Sequence, residues 1–304
     1  EQLDRFAEAV EKLARATATL ERTLGADNPE TAEIRRYWAS ALDRVGRTDE
    51  AEAEMERAVA ALEKTLGPKH PTVARSQGDL AAFYARHGRE GEAEPLLRRC
   101  IASLHGGGSR EEGDCLRMLG NLLSDAPGRA AEAATSLEEA VAILGQGDPK
   151  DPFLLIALAT LGHARVQLGE LSAGERVLRD AIARLEAVYG PEGDQLRRPL
   201  FWLGEVELAR GQPGEAVVTL RRGLAVAEKH RGAESTAAAK AAETLARALA
   251  AAGGGENLAE AARLVERATA IYRGANASPE RLASLADLAK VIERAASRPP
   301  GGVS

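Results

Sequence analysis

Glycine recurs in this chain at Gly46, Gly88, Gly128, Gly169, Gly211 and Gly253, at spacings of 42, 40, 41, 42 and 42 residues. Five residues after the first five of these stand Ala51, Ala93, Ala133, Gly174 and Ala216, and twelve after them Ala58, Cys100, Ala140, Ala181 and Gly223. The sixth unit reaches Ala261 and Ala268 three residues late, an excess supplied by Gly253-Gly254-Gly255. A fixed period of this length leaves few folds open. Each unit is too small to bury its own apolar face and must stack on its neighbours. A glycine that closes one helix, followed by small residues on the next, makes the unit a helical hairpin. The expected fold is all-α, and the functional question moves from chemistry to surface recognition.

A length of 304 residues suggests about two globular domains, but the period runs through nearly all of it, so one array over residues 1–297 is expected. Hydrophobic residues make up 44% and aromatics only 3%, which suits thin helix-on-helix layers built on alanine and leucine. A net charge of −6 argues against a nucleic-acid partner, because phosphate neutralisation needs a basic face. No apolar run approaches the roughly 18 residues of a membrane span, and no signal peptide is visible. Cys100 and Cys115 are expected as small buried thiols in a reducing, cytoplasmic setting. The chain opens at Glu1, without methionine and already in register with a helix, so it reads as a segment of a longer polypeptide. Its 33 arginines against 7 lysines, with abundant alanine and glycine, fit a GC-rich bacterium.

A leading half-repeat, residues 1–24, has Leu3, Phe6, Val10, Leu13 and Leu20 at helical spacing. Full repeats follow at 29–66, 71–105, 109–145, 151–189, 192–231 and 234–273. A last helix at 278–297 is expected to cap the array through Leu282, Leu285, Leu288 and Ile292, with Arg281, Lys290 and Glu293 in water. Residues 298–304 have no reason to be ordered. Asn28-Pro29, Asp151-Pro152 and Ser278-Pro279 place an acceptor at the cap and proline at the first helical position. Ser109 with Glu112 reads as a capping box. Pro199 requires that its helix either starts near Arg198 or kinks there.

The first helix of each unit carries a large residue followed by a small one: Trp38-Ala39, Leu80-Ala81, Leu119-Gly120, Leu161-Gly162, Leu203-Gly204 and Leu245-Ala246. With the inter-repeat segments Leu24-Gly-Ala-Asp-Asn-Pro-Glu-Thr-Ala32 and Leu66-Gly-Pro-Lys-His-Pro-Thr-Val-Ala74, this resembles the tetratricopeptide repeat of the kinesin-light-chain type, common in bacteria. Glu92 to Ile101 is similar to that family's second helix. The resemblance covers about residues 1–297 and is strongest in the first two repeats. It implies a right-handed α-solenoid of antiparallel hairpins, a concave groove lined by the first helices, a peptide or protein partner, and no catalysis by the repeats. The paired asparagines of that family are replaced here by Arg36-Tyr37, Gly78-Asp79, Arg117-Met118, Ala159-Thr160, Phe201-Trp202 and Glu243-Thr244.

Extrapolating the groove face gives Arg36, Ser40, Arg44, Arg75, Asp79 and Arg86, then Arg117, Asn121, His163, Gln167, Arg198, Trp202 and Glu205, then Lys240, Glu243 and Arg247. The partner-binding candidates among them are Arg36, Ser40, Arg44, Arg75, Arg86, Arg117, Asn121, His163, Gln167, Trp202 and Arg247. Two readings of the arginines stay open. Their forks suit the carboxylates of an acidic partner segment, or they pair with Asp43, Asp79, Asp114 and neighbouring glutamates. Phe201 and Trp202 are adjacent on one helix and cannot face the same way.

Enzyme signals are poor. His105-Gly106-Gly107-Gly108 is similar to an esterase oxyanion loop, but no Gly-x-Ser-x-Gly elbow accompanies it. No phosphate-loop motif occurs, and His70, His87, His105, His163 and His230 have no metal-ligand spacing. No enzyme activity, cofactor or metal is expected. The expected function is an interaction scaffold within a larger bacterial signalling protein. The alternative is a sensor of a peptide or small ligand that regulates an attached kinase, ATPase or protease, as the resemblance suggests.

Overall fold

The structure is a computed structural model and describes residues 2–297, with side chains from residue 5 onward. Leu3 and the tail 298–304 therefore lie outside the described side chains and residues. Among the described residues there are fourteen α-helices. They are α1 (Gln2–Leu24), α2 (Pro29–Arg44), α3 (Thr48–Leu66), α4 (Pro71–Arg86), α5 (Glu90–Leu104), α6 (Arg110–Ser124), α7 (Ala130–Leu144), α8 (Pro152–Gln167), α9 (Leu171–Tyr189), α10 (Arg197–Ala209), α11 (Pro213–Arg231), α12 (Thr236–Ala252), α13 (Gly255–Gly274) and α14 (Pro279–Ala296). They fall into two compact units, Glu1–Ala157 and Leu158–Ser304, so the division passes through α8.

Within each unit helices that follow one another in sequence pack together, and first helices of adjacent repeats also meet, as α4 does α6, α10 does α12 and α12 does α14. The six periodic glycines are the reason the chain can reverse so tightly. All have left-handed φ, from 70° at Gly88 and Gly253 to 82° at Gly169, where a Cβ would be strained. Between repeats, Gly25, Gly67, Gly190 and Gly232 do the same with φ between 76° and 98°.

The small residues after each turn are the seats of the hairpins. Ala51, Ala93, Ala133, Ala216 and Ala261 are all 0% exposed. At Gly162 a Cβ would stand 2.8 Å from Leu178 Cγ, and at Gly174 it would stand 2.7 Å from the Gly162 carbonyl oxygen. Gly120 and Gly204 are as tightly covered, by Leu137 and Leu220. Large side chains here would drive the two helices apart.

Capping follows the sequence with two adjustments. Asn28, Asp151 and Ser278 accept backbone N–H bonds from Glu30, Phe153 and Arg281 at 2.9, 2.8 and 3.3 Å. Ser109 accepts from the Glu112 N–H at 3.1 Å, but Glu112 does not close the reciprocal half of the box. Its buried carboxylate instead accepts the Gly106 and Gly108 N–H groups at 3.2 and 2.9 Å, pinning the glycine-rich loop. Before Pro199 the chain forms a short 3₁₀ turn, Asp194–Leu196, and α10 starts at Arg197, so the proline sits in the first turn without a kink.

One expectation is overturned. Cys100 on α5 and Cys115 on α6 are joined in a disulfide, with Cα atoms 6.4 Å apart. Both are buried, 0% and 1% exposed, and both sulfurs lie near the Ala74 carbonyl. Sequence placed them on neighbouring helices, but the small seat at Cys100 faces α6 directly, which brings the two sulfurs into bonding reach.

The apolar face of the last helix packs on α12 and α13. Leu285 and Ile292 are buried with α12 and α13, and Leu282 and Leu288 pack partly buried against the same cluster. Arg281 is the exception to the water-facing set: it pairs with Glu243 at 2.6 Å and donates to the Tyr272 hydroxyl at 2.9 Å.

Candidate functional site

The first helices carry the candidate residues, and each unit presents its own set. In the first unit the arginines are cross-linked from one first helix to the next. Arg36 on α2 reaches Asp79 on α4 at 2.5 Å and Glu33 at 3.0 Å. Arg86 and His87 at the end of α4 both reach back to Asp43 at 2.8 Å. Arg75 meets Glu111 on α6 at 3.3 Å, and Arg117 meets Asp114 one turn away at 2.5 Å. Arg110 closes the row on Asp151, the cap of α8, at 3.0 Å.

These pairs are of two kinds. The Arg36 and Arg117 side chains are only 13% and 11% exposed, whereas Arg75 and Arg86 are 51% and 54% exposed. Arg36 also lies over Tyr37, and Arg117 and Arg110 both lie over Phe153, with guanidinium-to-ring distances of 4.6 to 4.7 Å. The first kind is built into the wall; the second stands in water. Burial pushes the Asp79 carboxyl above its ordinary range in spite of Arg36, with Asp114 and Glu33 adding like charge. At Asp43 burial works in the same direction, but hydrogen bonds from Arg86 and His87 prevail and hold the carboxyl below its ordinary range.

Ser40 and Arg44 are exposed, and Arg44 lies 5.9 Å over the Phe6 ring. Asn121 is half-buried, and its Oδ1 is buried without a hydrogen-bond partner among the described residues.

In the second unit an aromatic stack takes the place of the arginine row. His163 on α8 lies flat on Trp202 of α10, ring centroids 4.4 Å apart and planes 9° apart, and the Arg198 guanidinium is 4.7 Å from the same ring. Trp202 is only 6% exposed, so its ring is spent on these contacts. Phe201, its neighbour, turns the other way and receives Lys240 at 4.6 Å. Gln167 is exposed near the end of α8. Arg247 reaches Glu205 at 3.9 Å, and burial raises the Glu205 carboxyl above its ordinary range, opposed by Arg247 and Lys240.

Sequence reasoning missed Arg110, Phe153 and exposed Tyr37. The signal for the first two was Asp151-Pro152-Phe153, a cap whose acceptor and following ring both face the preceding first helix. Among the described residues no group of three or more histidine, cysteine, aspartate or glutamate side chains could hold a metal ion. No helix among them is long and apolar enough to cross a membrane.

Comparison with known proteins agrees with this geometry. The tetratricopeptide-repeat family model matches residues 1–64 and 35–104. No curated protein matches the sequence. A Podosopora anserina protein described as a kinesin light chain with nearly identical TPR-like repeats is 25% identical, with TM-score 0.55 over 67% of this chain and 97% of that one. BtubC (BKLC) from P. vanneervenii is 19% identical, with TM-score 0.59 over 78% of this chain and 93% of that one. A Rap protein complexed with Competence and Sporulation Factor is 14% identical, with TM-score 0.57 over 94% of this chain and 84% of that one. In its period, its hairpins and these matches the chain is similar to tetratricopeptide-repeat proteins, among them ones of kinesin-light-chain type, with the family model covering its first third.

Proposed function

We propose that the chain is a protein-interaction module that binds an extended acidic segment along its first helices, within a larger bacterial signalling polypeptide. The observation that carries this is the difference between the two kinds of arginine. Exposed ion pairs are worth about 0–1 kcal/mol. Arg75 can therefore exchange Glu111 for the carboxylate of a partner at little cost, while Arg86 can add a partner carboxylate on its exposed side and stay on Asp43, which is only 11% exposed. Arg36 and Arg117 hold the wall in shape while this happens. Arg247, loosely paired at 3.9 Å, offers the same chemistry in the second unit. The Rap structure, solved with Competence and Sporulation Factor bound, supports the use of such hairpins for recognition.

The scaffold reading is favoured over a small-ligand sensor by Trp202. A sensor pocket would expose that ring to its ligand, and here His163 and Arg198 cover it. The disulfide favours an oxidising setting for the folded chain over the cytoplasmic one expected from sequence.

The test uses a fluorescent glutamate-rich peptide and anisotropy at low and high salt. Arg75→Gln with Arg86→Gln should abolish binding while the chain stays folded with a melting temperature only slightly lowered, and salt should weaken binding to the parent. Undiminished binding by the double variant refutes the site.

A further inference from the structure

Every first helix with a side-chain cap carries its small residue eleven places after the cap residue. Ala39, Ala81, Gly120, Gly162 and Ala246 stand eleven after Asn28, His70, Ser109, Asp151 and Ser235. All five are buried, and at Gly120 and Gly162 the following second helix lays a leucine on the seat. α14 repeats the pattern, with Ser278 as cap and Ala289 eleven residues on. Ala289 is only partly buried. With Leu282 and Ala286 it faces Ala262, Val265 and Thr269 of α13 across a groove of about 520 Å³.

The rim of this groove has a charge pattern of its own. Second helices of adjacent repeats are bridged at two recurring places. An arginine ten residues after one turn glycine meets a glutamate four after the next, as Arg98–Glu132 at 3.1 Å and, with the sixth unit's three-residue delay, Arg221–Glu260 at 2.5 Å. A glutamate seventeen after one glycine meets an arginine eleven after the next, as Glu63–Arg99 at 3.2 Å and, with the same delay, Glu228–Arg267 at 2.5 Å. Counted with that delay, the corresponding residues of α13 are Glu266 and Arg273. Against these bridges both signs are reversed: a glutamate at the first place also occurs in α3 and α7, as Glu56 and Glu138, but an arginine at the second place occurs only in α13. Glu266 and Arg273 line the groove, and Glu293 of α14 adds a second carboxylate to its rim.

We propose that the α13–α14 groove is a second docking site, which receives one amphipathic helix of a partner protein with charges opposite to those of the chain's own second helices. In the register of the preceding repeats that helix carries a base against Glu266 and Glu293 and a small residue immediately after it. Its leucine comes four residues later, over Ala289, and its acid two beyond that, against Arg273. The pattern is Lys/Arg-Ala/Gly-x-x-x-Leu-x-Asp/Glu, read by anchors on one helical face.

A second copy of the chain is the occupant this excludes. α1 has the outline of a second helix, with Ala9 and Leu13 only partly buried where Ala51 and Met55 of α3 are buried. Its charges in the same register are Glu8 and Arg15, which would meet Glu266 and Arg273 like against like. Head-to-tail contacts of that kind would not close and would build open polymers.

The experiment titrates the full chain with two labelled helical peptides that differ only at the charged positions: Lys…Glu in the first, Glu…Lys in the second. The first should bind about tenfold more tightly, as two attractive contacts replace two repulsive ones. Glu266→Arg with Arg273→Glu should reverse the preference, and Ala289→Arg should abolish binding of both while helicity is unchanged. Equal affinity for the two peptides, binding by neither, or binding that survives Ala289→Arg overturns the proposal.

Discussion

His163 and Trp202 form a parallel stack at 4.4 Å, each from a different first helix of the second unit. The stack couples α8 to α10 through rings, where the first unit couples its first helices through ion pairs. Trp202→Ala removes a ring that is 6% exposed and should cost about 3–5 kcal/mol in a urea titration. His163→Ala leaves the indole in place and should cost only about 0.5–1.5 kcal/mol. A red shift of tryptophan emission should accompany the second variant, as water reaches the uncovered ring.

Gly204 is held against Leu220 with no room for a side chain. Gly204→Leu should destabilise by about 1–3 kcal/mol through overpacking, and Gly162→Leu by a similar amount. Gly214, where no atom lies within 4 Å of an added Cβ, is the control. Gly214→Ala should melt within a degree or so of the parent, or slightly above it, because alanine lowers the entropy of the unfolded chain.

The contrast among these glycines shows how much was legible in the sequence. Period and residue size were enough for the hairpins, since a small seat such as Gly204 and a left-handed turn such as Gly211 follow from local geometry that repeats. The disulfide was not legible, because Cys100 looks like any other small seat until the helix opposite it is in place. The charged face was half legible. Arg36 and Arg75 stand ten and thirteen residues before their turn glycines, one turn apart on the same helical face, but packing buries one and leaves the other in water. That difference depends on packing between repeats, which no single repeat encodes.

The Cys100–Cys115 bond closes a loop of 15 residues across the α5–α6 junction. Opening it should cost about 3 kcal/mol through the entropy returned to the unfolded chain. A thermal melt with and without reductant measures this. The Cys100→Ser/Cys115→Ser protein should melt lower than the parent and show no further response to reductant.

Glu94 ties the second helices of the first unit together, accepting hydrogen bonds from Arg129 and Arg98, which hold its carboxyl down at about 2 against an ordinary 4.5. The folded value is the lower one, so the stabilisation is complete above the ordinary value and is lost as pH falls from about 4.5 to about 2. Solvent screening limits its size to about 1 kcal/mol. Glu94→Gln should therefore be less stable than the parent near neutral pH, and the two stability curves should converge at the acid end of that window.

The reversed charges on α13 lead to a last expectation about assembly. If Glu266 and Arg273 keep α1 of a second copy out of the groove, the double reversal Glu266→Arg/Arg273→Glu should let it in. Glu8 would then face an arginine and Arg15 a glutamate, in the register that joins Arg98 to Glu132 and Glu63 to Arg99 within the chain. The contact is head-to-tail, so each added copy leaves a free groove at one end and a free α1 at the other. Sedimentation velocity should show the variant growing into a concentration-dependent ladder of species, which high salt disperses. Adding Leu13→Glu on α1 should return the variant to the parent's sedimentation profile, because the apolar anchor is then lost while the charge pairs at Glu8 and Arg15 remain. A ladder that persists in that triple variant would show association through another surface.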